Sequence, residues 1–194
     1  MELNLDFLTE QEITDLLDEL GIAAHSASED GVLLEMSNDF ASAKHCFCND
    51  EHPCDSNSDT FCIDMSTGEM VDALEKVVRK IHGGRTLMIP VGKWRSAFDA
   101  VAFSMAGDEP WQEFDASATI KLNTRDPLLF ETGDEHTLIE LVKSIMNDGE
   151  LGEQGVFLIP VGSPLLLHIQ PSGPVKFWFG NSTFADEVRE TYSS

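Results

Sequence analysis

Positive charge is what this chain has least of. Twelve Lys and Arg stand against 35 Asp and Glu, for a net charge of −23 with histidine neutral and a pI near 4.3. Such a surface repels phosphate backbones and anionic headgroups, so the charge balance excludes non-specific nucleic-acid binding and attachment to acidic lipid. Long apolar runs are missing as well: no stretch approaches the roughly 18 apolar residues of a membrane-spanning helix. "MELNLDFLTEQE" carries acids where a secretory leader carries Lys or Arg. The expected address is therefore a reducing cytoplasm, where cysteines serve as thiols or metal ligands more often than as disulfides.

Catalytic signatures are equally scarce. No Gly-x-Gly-x-x-Gly follows a strand, no phosphate-cradling loop ends in Lys-Ser/Thr, and there is no His-Glu-x-x-His. "VGSPL" lacks the second glycine that a nucleophile elbow would need around Ser163. Carboxylates are so abundant that no pair stands out as general acid and base. His82 reads as a residue at a helix C-terminus, Arg85 as a solvated turn residue, and His168 as a residue on the face opposite Leu165, Leu167 and Ile169.

All four cysteines lie in one stretch, "HCFCNDEHPCDSNSDTFC", from His45 to Cys62. Its Asn, Asp and Ser content predicts a loop. Cys46, Cys48, His52, Cys54 and Cys62 are candidate zinc ligands, because thiolate and imidazole are what that ion takes. The spacing departs from a zinc knuckle, and the expectation is that Cys46 and Cys48 reach one ion only if the chain turns between them. An EF-hand beginning at Asp55 fails, since Thr60 stands where glycine is wanted and Ser66 where the bidentate glutamate belongs. Thiol catalysis is disfavoured, because only Lys44 lies near in sequence among many carboxylates.

What is present points to an ordinary packed protein. Of 194 residues 42% are hydrophobic, too many for a disordered chain and enough for a core without metal or disulfide. "LTEQEITDLLDELG" predicts a helix with a capping box from Thr9 to Glu12 and a stop at Gly21. "IAAHSASEDGVLLEMS" predicts a hairpin, and Ser66 with Glu69 opens a second helix. Further on, "TLMIPVG" (86–92) returns as "VFLIPVG" (156–162), 70 positions later. "ATIKLNTRDPLLFETGDEHTLIELVKSI" aligns onto "LLLHIQPSGPVKFWFGNSTFADEVRETY" at an offset of 47. Each copy reads as strand, strand, strand, helix, and Thr132 to Glu135 reads as a capping box in the first. A helical pattern around Trp94 to Met105 fills the insertion between the offsets. Pro90 and Pro160 predict edge strands or bulges, and Phe130, Phe177, Trp178 and Phe179 predict core.

The expected fold class is α+β: an N-terminal helix plus β-hairpin, a Cys/His-containing loop, then a duplicated strand-strand-strand-helix unit with helices packed on one side of β-sheet. The parts are an acidic 1–82, holding the loop at 45–62, and a duplicated 83–194 with copies at about 86–146 and 156–192; the two can share one compact domain. Nineteen acids and one base fall within 1–75, leaving sixteen acids and eleven bases after it. That asymmetry makes the leading expectation a non-enzymatic intracellular interaction protein, an adaptor, inhibitor or chaperone-like molecule. It would dock a basic or apolar segment of a protein partner, with Asp15, Asp18 and Glu19 as candidate contacts. The alternative is a zinc protein with a structural or sensing Cys/His loop, and the third is an enzyme with a site between the duplicated halves. Exposed strand edges also allow a homodimer.

Overall fold

The computed structural model describes residues 5–7, 10–19, 21–26, 32–36, 43–48, 60–81, 83–91, 107, 128–148, 155–163, 165–171, 173–180 and 182–192. In chain order they form β1 (Leu5–Phe7), α1 (Glu10–Glu19), β2 (Ile22–Ser26), β3 (Val32–Met36), β4 (Ala43–Cys48), β5 (Thr60–Asp64), α2 (Thr67–Ile81), β6 (Thr86–Val91) and β7 (Leu128–Phe130). They continue with α3 (Glu135–Asp148), β8 (Gly155–Pro160), β9 (Leu165–Ile169), β10 (Val175–Phe179) and α4 (Ser182–Tyr192). The class is α+β. Thr9, the helical pattern at 94–105 and the middle strand of the first copy lie outside the described residues.

Local chemistry explains several boundaries. At the start of α2, Ser66 donates from its backbone N–H and its hydroxyl to Glu69 Oε2 at 2.9 and 2.7 Å. The Glu69 N–H donates back to Ser66 Oγ at 3.4 Å, which completes the expected capping box. This hydrogen bonding holds the Glu69 carboxyl below its ordinary range. α1 stops at Gly21, whose φ of 72° suits glycine and whose N–H donates to Asp18 O at 3.0 Å. The cap of α3 differs from expectation. Asp134 is buried and its carboxylate accepts from the Glu131 N–H at 3.0 Å, while its carbonyl accepts from the Leu138 N–H. Asp134, not exposed Thr132, therefore occupies the N-terminal turn.

Among the described residues the main sheet has eight strands in the order β1-β7-β6-β8-β9-β10-β4-β5, and β2 with β3, the two strands of the expected hairpin, forms a separate antiparallel pair. Neighbours in the main sheet are antiparallel except β4 and β5. One face carries Met88, Phe130, Val156, Leu158, Leu165, Leu167, Ile169, Val175, Phe177 and Phe179, packed under the apolar faces of α2, α3 and α4. The opposite face carries Leu87, Ile89, Leu129, Ile159 and Leu166, covered by Leu17 of α1 and Ile22 of β2. Helices of the trailing part were expected on one side; among the described helices α3 and α4 lie there together with α2, and α1, which belongs to the leading part, lies on the other.

The two "IPVG" strands, β6 and β8, lie side by side and antiparallel. Their register maps onto itself: adding the 70-residue offset to Thr86 and subtracting it from Pro160 turns the pair Thr86–Pro160 into Val156–Pro90, which is also a pair. Met88 and Leu158, equivalent in the two segments, face each other at the centre. Outside this dyad β7 pairs with β6 as β9 pairs with β8, and β1 stands where β10 stands. β7 thus stands to β6 as β9 stands to β8, whereas the offset of 47 aligned it with β10. The edge-strand expectation for Pro90 and Pro160 is corrected, because both strands are internal. Among the described residues the ladder from β7 to β6 runs as far as Met88, and that from β9 to β8 as far as Leu158. Each proline lies two residues past that point, where no described residue asks for its N–H on that side.

Gly155 opens β8 under tight packing. A Cβ there would sit 2.8 Å from the Ile169 carbonyl oxygen, a backbone atom of the adjacent strand, and 3.2 Å from His168 Nε2. Gly155→Ala is expected to cost about 1–3 kcal/mol, because two paired strands must part to admit one methyl; urea denaturation checks it.

Candidate functional site

The sequence marks two groups, the acidic residues of α1 and the cysteines, and α1 lies on the side of the sheet away from α2, α3 and α4. α1 buries Leu17 and turns outward Gln11, Glu12, Thr14, Asp15, Asp18 and Glu19. Gln11 Nε2 donates to Asp15 Oδ1 at 2.7 Å, one turn along. No Lys or Arg occurs in the helix, so its outer surface has only negative charge.

The loop expectation for the cysteine stretch is corrected at both ends. His45, Cys46 and Cys48 belong to β4, and Cys62 belongs to β5. No turn separates Cys46 from Cys48, and none is needed, since residues two apart on a strand share a face. His52 and Cys54 lie outside the described residues. Cys46 and Cys62 are direct partners in the parallel pair, and Cys48 is opposite Asp64. Among the residues whose side chains are described, no three His, Cys, Asp or Glu gather as metal ligands.

A row crosses the sheet through this point. Ile89 of β6 pairs with Phe157, Phe157 with His168, His168 with Lys176, Lys176 with Cys46, and Cys46 with Cys62. His168 stacks on Phe157 with ring centroids 4.5 Å apart and an interplanar angle of 26°. Burial, with a smaller contribution from the nearby Lys176 charge, pushes the imidazole down to about 4, so it is neutral at physiological pH. Lys176 is the residue that sequence inspection overlooked. It lies 130 positions from Cys46 in the chain, and the only available signal was the alternation of "VKFWF", which sends Lys176 and Trp178 to one face and Val175, Phe177 and Phe179 to the other.

The charged side chains on the helical face have a structural role. Glu75 of α2 accepts from Lys143 of α3 at 2.6 Å and from Arg79 at 2.8 Å, and Arg79 also reaches Glu135. Hydrogen bonds from Lys143 and then Arg79 hold the Glu75 carboxyl below its usual range. Tyr192 donates from its hydroxyl to Ala73 O at 3.3 Å, tying α4 to α2. Two open clefts flank these helices. One of about 550 Å³ is lined by residues including Lys80, Gly84, Ser163 and Phe184. The other, of about 410 Å³, collects Asp64, Glu69 and Asp72 with Lys76 and Tyr192.

Comparison with protein-family models, with curated proteins and with solved structures returns no match. Among the described residues no helix is long and apolar enough to cross a membrane.

Proposed function

We propose that this is a non-enzymatic intracellular interaction protein, an adaptor, inhibitor or chaperone-like molecule, that docks a basic segment of a partner protein through its acidic leading part. The observation that carries the reading is α1, which presents Asp15, Asp18 and Glu19 exposed and has no base of its own. Uncompensated charge of one sign steers an oppositely charged partner and rejects like-charged ones, which supplies specificity and on-rate. Nineteen acids within 1–75 extend the same field. The repeat belongs to this proposal as scaffold: two related β-units joined at β6 and β8 would give a rigid sheet whose far face supports α1. The self-mapping register of the "IPVG" strands supports that origin.

The test compares wild type with the triple variant Asp15→Asn, Asp18→Asn, Glu19→Gln. Partner proteins recovered at low salt should be released above about 0.3 M salt, where the Debye length falls to roughly 6 Å. A purified partner should bind the triple variant about tenfold or more weakly. Binding indifferent both to ionic strength and to the three substitutions sinks the proposal.

A further inference from the structure

The cleft of about 550 Å³ lies where α2, the link to β6, the turn after β8 and the first turn of α4 meet. Lys80 and Ile81 end α2, Gly83 and Gly84 belong to the link, Ser163 to the turn and Phe184 to α4. The Val161 N–H of the turn donates to the Arg85 carbonyl of the link at 2.9 Å, which fixes these two walls to each other. The volume falls within the range of about 300–1,000 Å³ that small-molecule sites occupy.

Among the described residues, the fold does not require glycine at 83 or 84. Neither has the positive φ of Gly21, Gly133 and Gly162, and a Cβ on either would meet no described atom within 4 Å. Gly155 is the contrast, since a Cβ there strikes the backbone of a neighbouring strand. What the glycine pair leaves is room beside bare main chain, as a site needs where backbone approaches a ligand closely.

Lys80 brings positive charge to this room. Its ammonium lies 5.6 Å from the centroid of the Phe184 ring and 3.5 Å from a Glu187 carboxylate oxygen. The side chains of that ion pair are 62% and 58% exposed, so the pair holds weakly and yields to a competing anion. Asp186, the carboxylate before Glu187 on α4, is engaged by Arg189 at 3.5 Å. Arg85, exposed and one residue past Gly84, adds a second base to the same link. Ser163 contributes a hydroxyl, and Ile81, Val161 and Phe184 contribute half-buried apolar surface.

We propose that this cleft binds a small organic oxyanion, a phosphate or carboxylate carried on an apolar body. The oxyanion lies against Lys80, the Ser163 hydroxyl and the main chain of Gly83 and Gly84. The apolar body lies on Ile81, Val161 and Phe184. Seating the ligand exchanges the exposed Lys80–Glu187 pair for a better shielded one, and it stiffens the link between α2 and β6.

The experiment titrates the full isotope-labelled chain with phenyl phosphate and follows the backbone amides by NMR. Saturable shifts are expected at Gly83, Gly84 and Ser163, half-complete below about 5 mM. Benzoate in place of phenyl phosphate distinguishes a carboxylate head from a phosphate head, and saturable binding by either supports the assignment. Inorganic phosphate lacks the apolar body and benzyl alcohol lacks the charge, so each should bind about tenfold or more weakly. Lys80→Met should weaken phenyl phosphate binding about tenfold, while Lys80→Arg retains it. Gly84→Leu fills the cleft from a position with no clash, and should weaken binding while amides away from the cleft keep their shifts. The assignment is overturned if neither phenyl phosphate nor benzoate gives a saturable shift by about 20 mM. It is overturned equally if inorganic phosphate or benzyl alcohol binds as tightly, or if folded Lys80→Met or Gly84→Leu binds as wild type does. The wild-type titrations depend on no variant folding. Loss of partner binding by the α1 variant has no bearing on this cleft, so the two proposals fail separately.

Discussion

Phe177→Ala lowers the free energy of unfolding by about 3–5 kcal/mol. Phe177 is fully buried in the middle of β10, and β10 is held between β9 and β4. Its ring faces the helices and lies parallel to that of Phe179, centroids 6.0 Å apart. Phe179 in turn meets Phe184 of α4 edge-on at 5.4 Å. Truncation removes the first ring of this series and leaves a void beneath helices that three elements hold in place, so collapse around it is limited. Equilibrium urea denaturation is the measurement, with an unchanged slope as the sign that only the native state has lost energy. A loss below about 1.5 kcal/mol would mean that the sheet and the helices do not pack as described. Phe177→Leu, which retains most of the volume, should cost distinctly less.

The second large effect is acid lability through His168. Its folded-state pKa of about 4 lies below the ordinary imidazole value of 6.5. Between those values the unfolded chain binds the proton and the folded chain does not. Stability is therefore complete above about pH 6.5 and is lost as pH falls toward 4. The gap corresponds to about 2–3 kcal/mol by pH 4. Depressed carboxyls such as Glu75 act in the same direction at lower pH, since protonation removes their ion pairs. His168→Leu separates the two: the wild-type advantage should shrink by that amount between pH 7 and pH 4. An imidazole proton titration by NMR should place the His168 midpoint near 4. A midpoint near 6.5 would mean that the ring is solvated, and the stacking on Phe157 would then be wrong.

Much of the fold was legible where local chemistry governs it. The reciprocal bonds of Ser66 and Glu69 span three residues, and Gly21 closes α1 through a bond to Asp18; contacts this short need only neighbouring sequence. Phe130, Phe177 and Phe179, expected in the core from their apolar character, are buried there. The candidate site was much less legible. Strands β4 and β5 flank a polar segment, and their extended form is stabilised by pairing with β10 and with each other, partners distant in sequence. The prolines misled because edge position was inferred from a missing N–H. Whether that N–H is needed depends on where the neighbouring strand ends.

The sequence by itself determined the charge, the helix ends and the apolar faces, because these depend on composition and on residues within one turn of each other. Strand order was decided only by the tertiary structure, through the burial of whole faces that no local pattern ranks against one another. That order is what pairs β10 with β4 and β4 with β5, strands that lie more than a hundred residues and about a dozen residues apart in the chain.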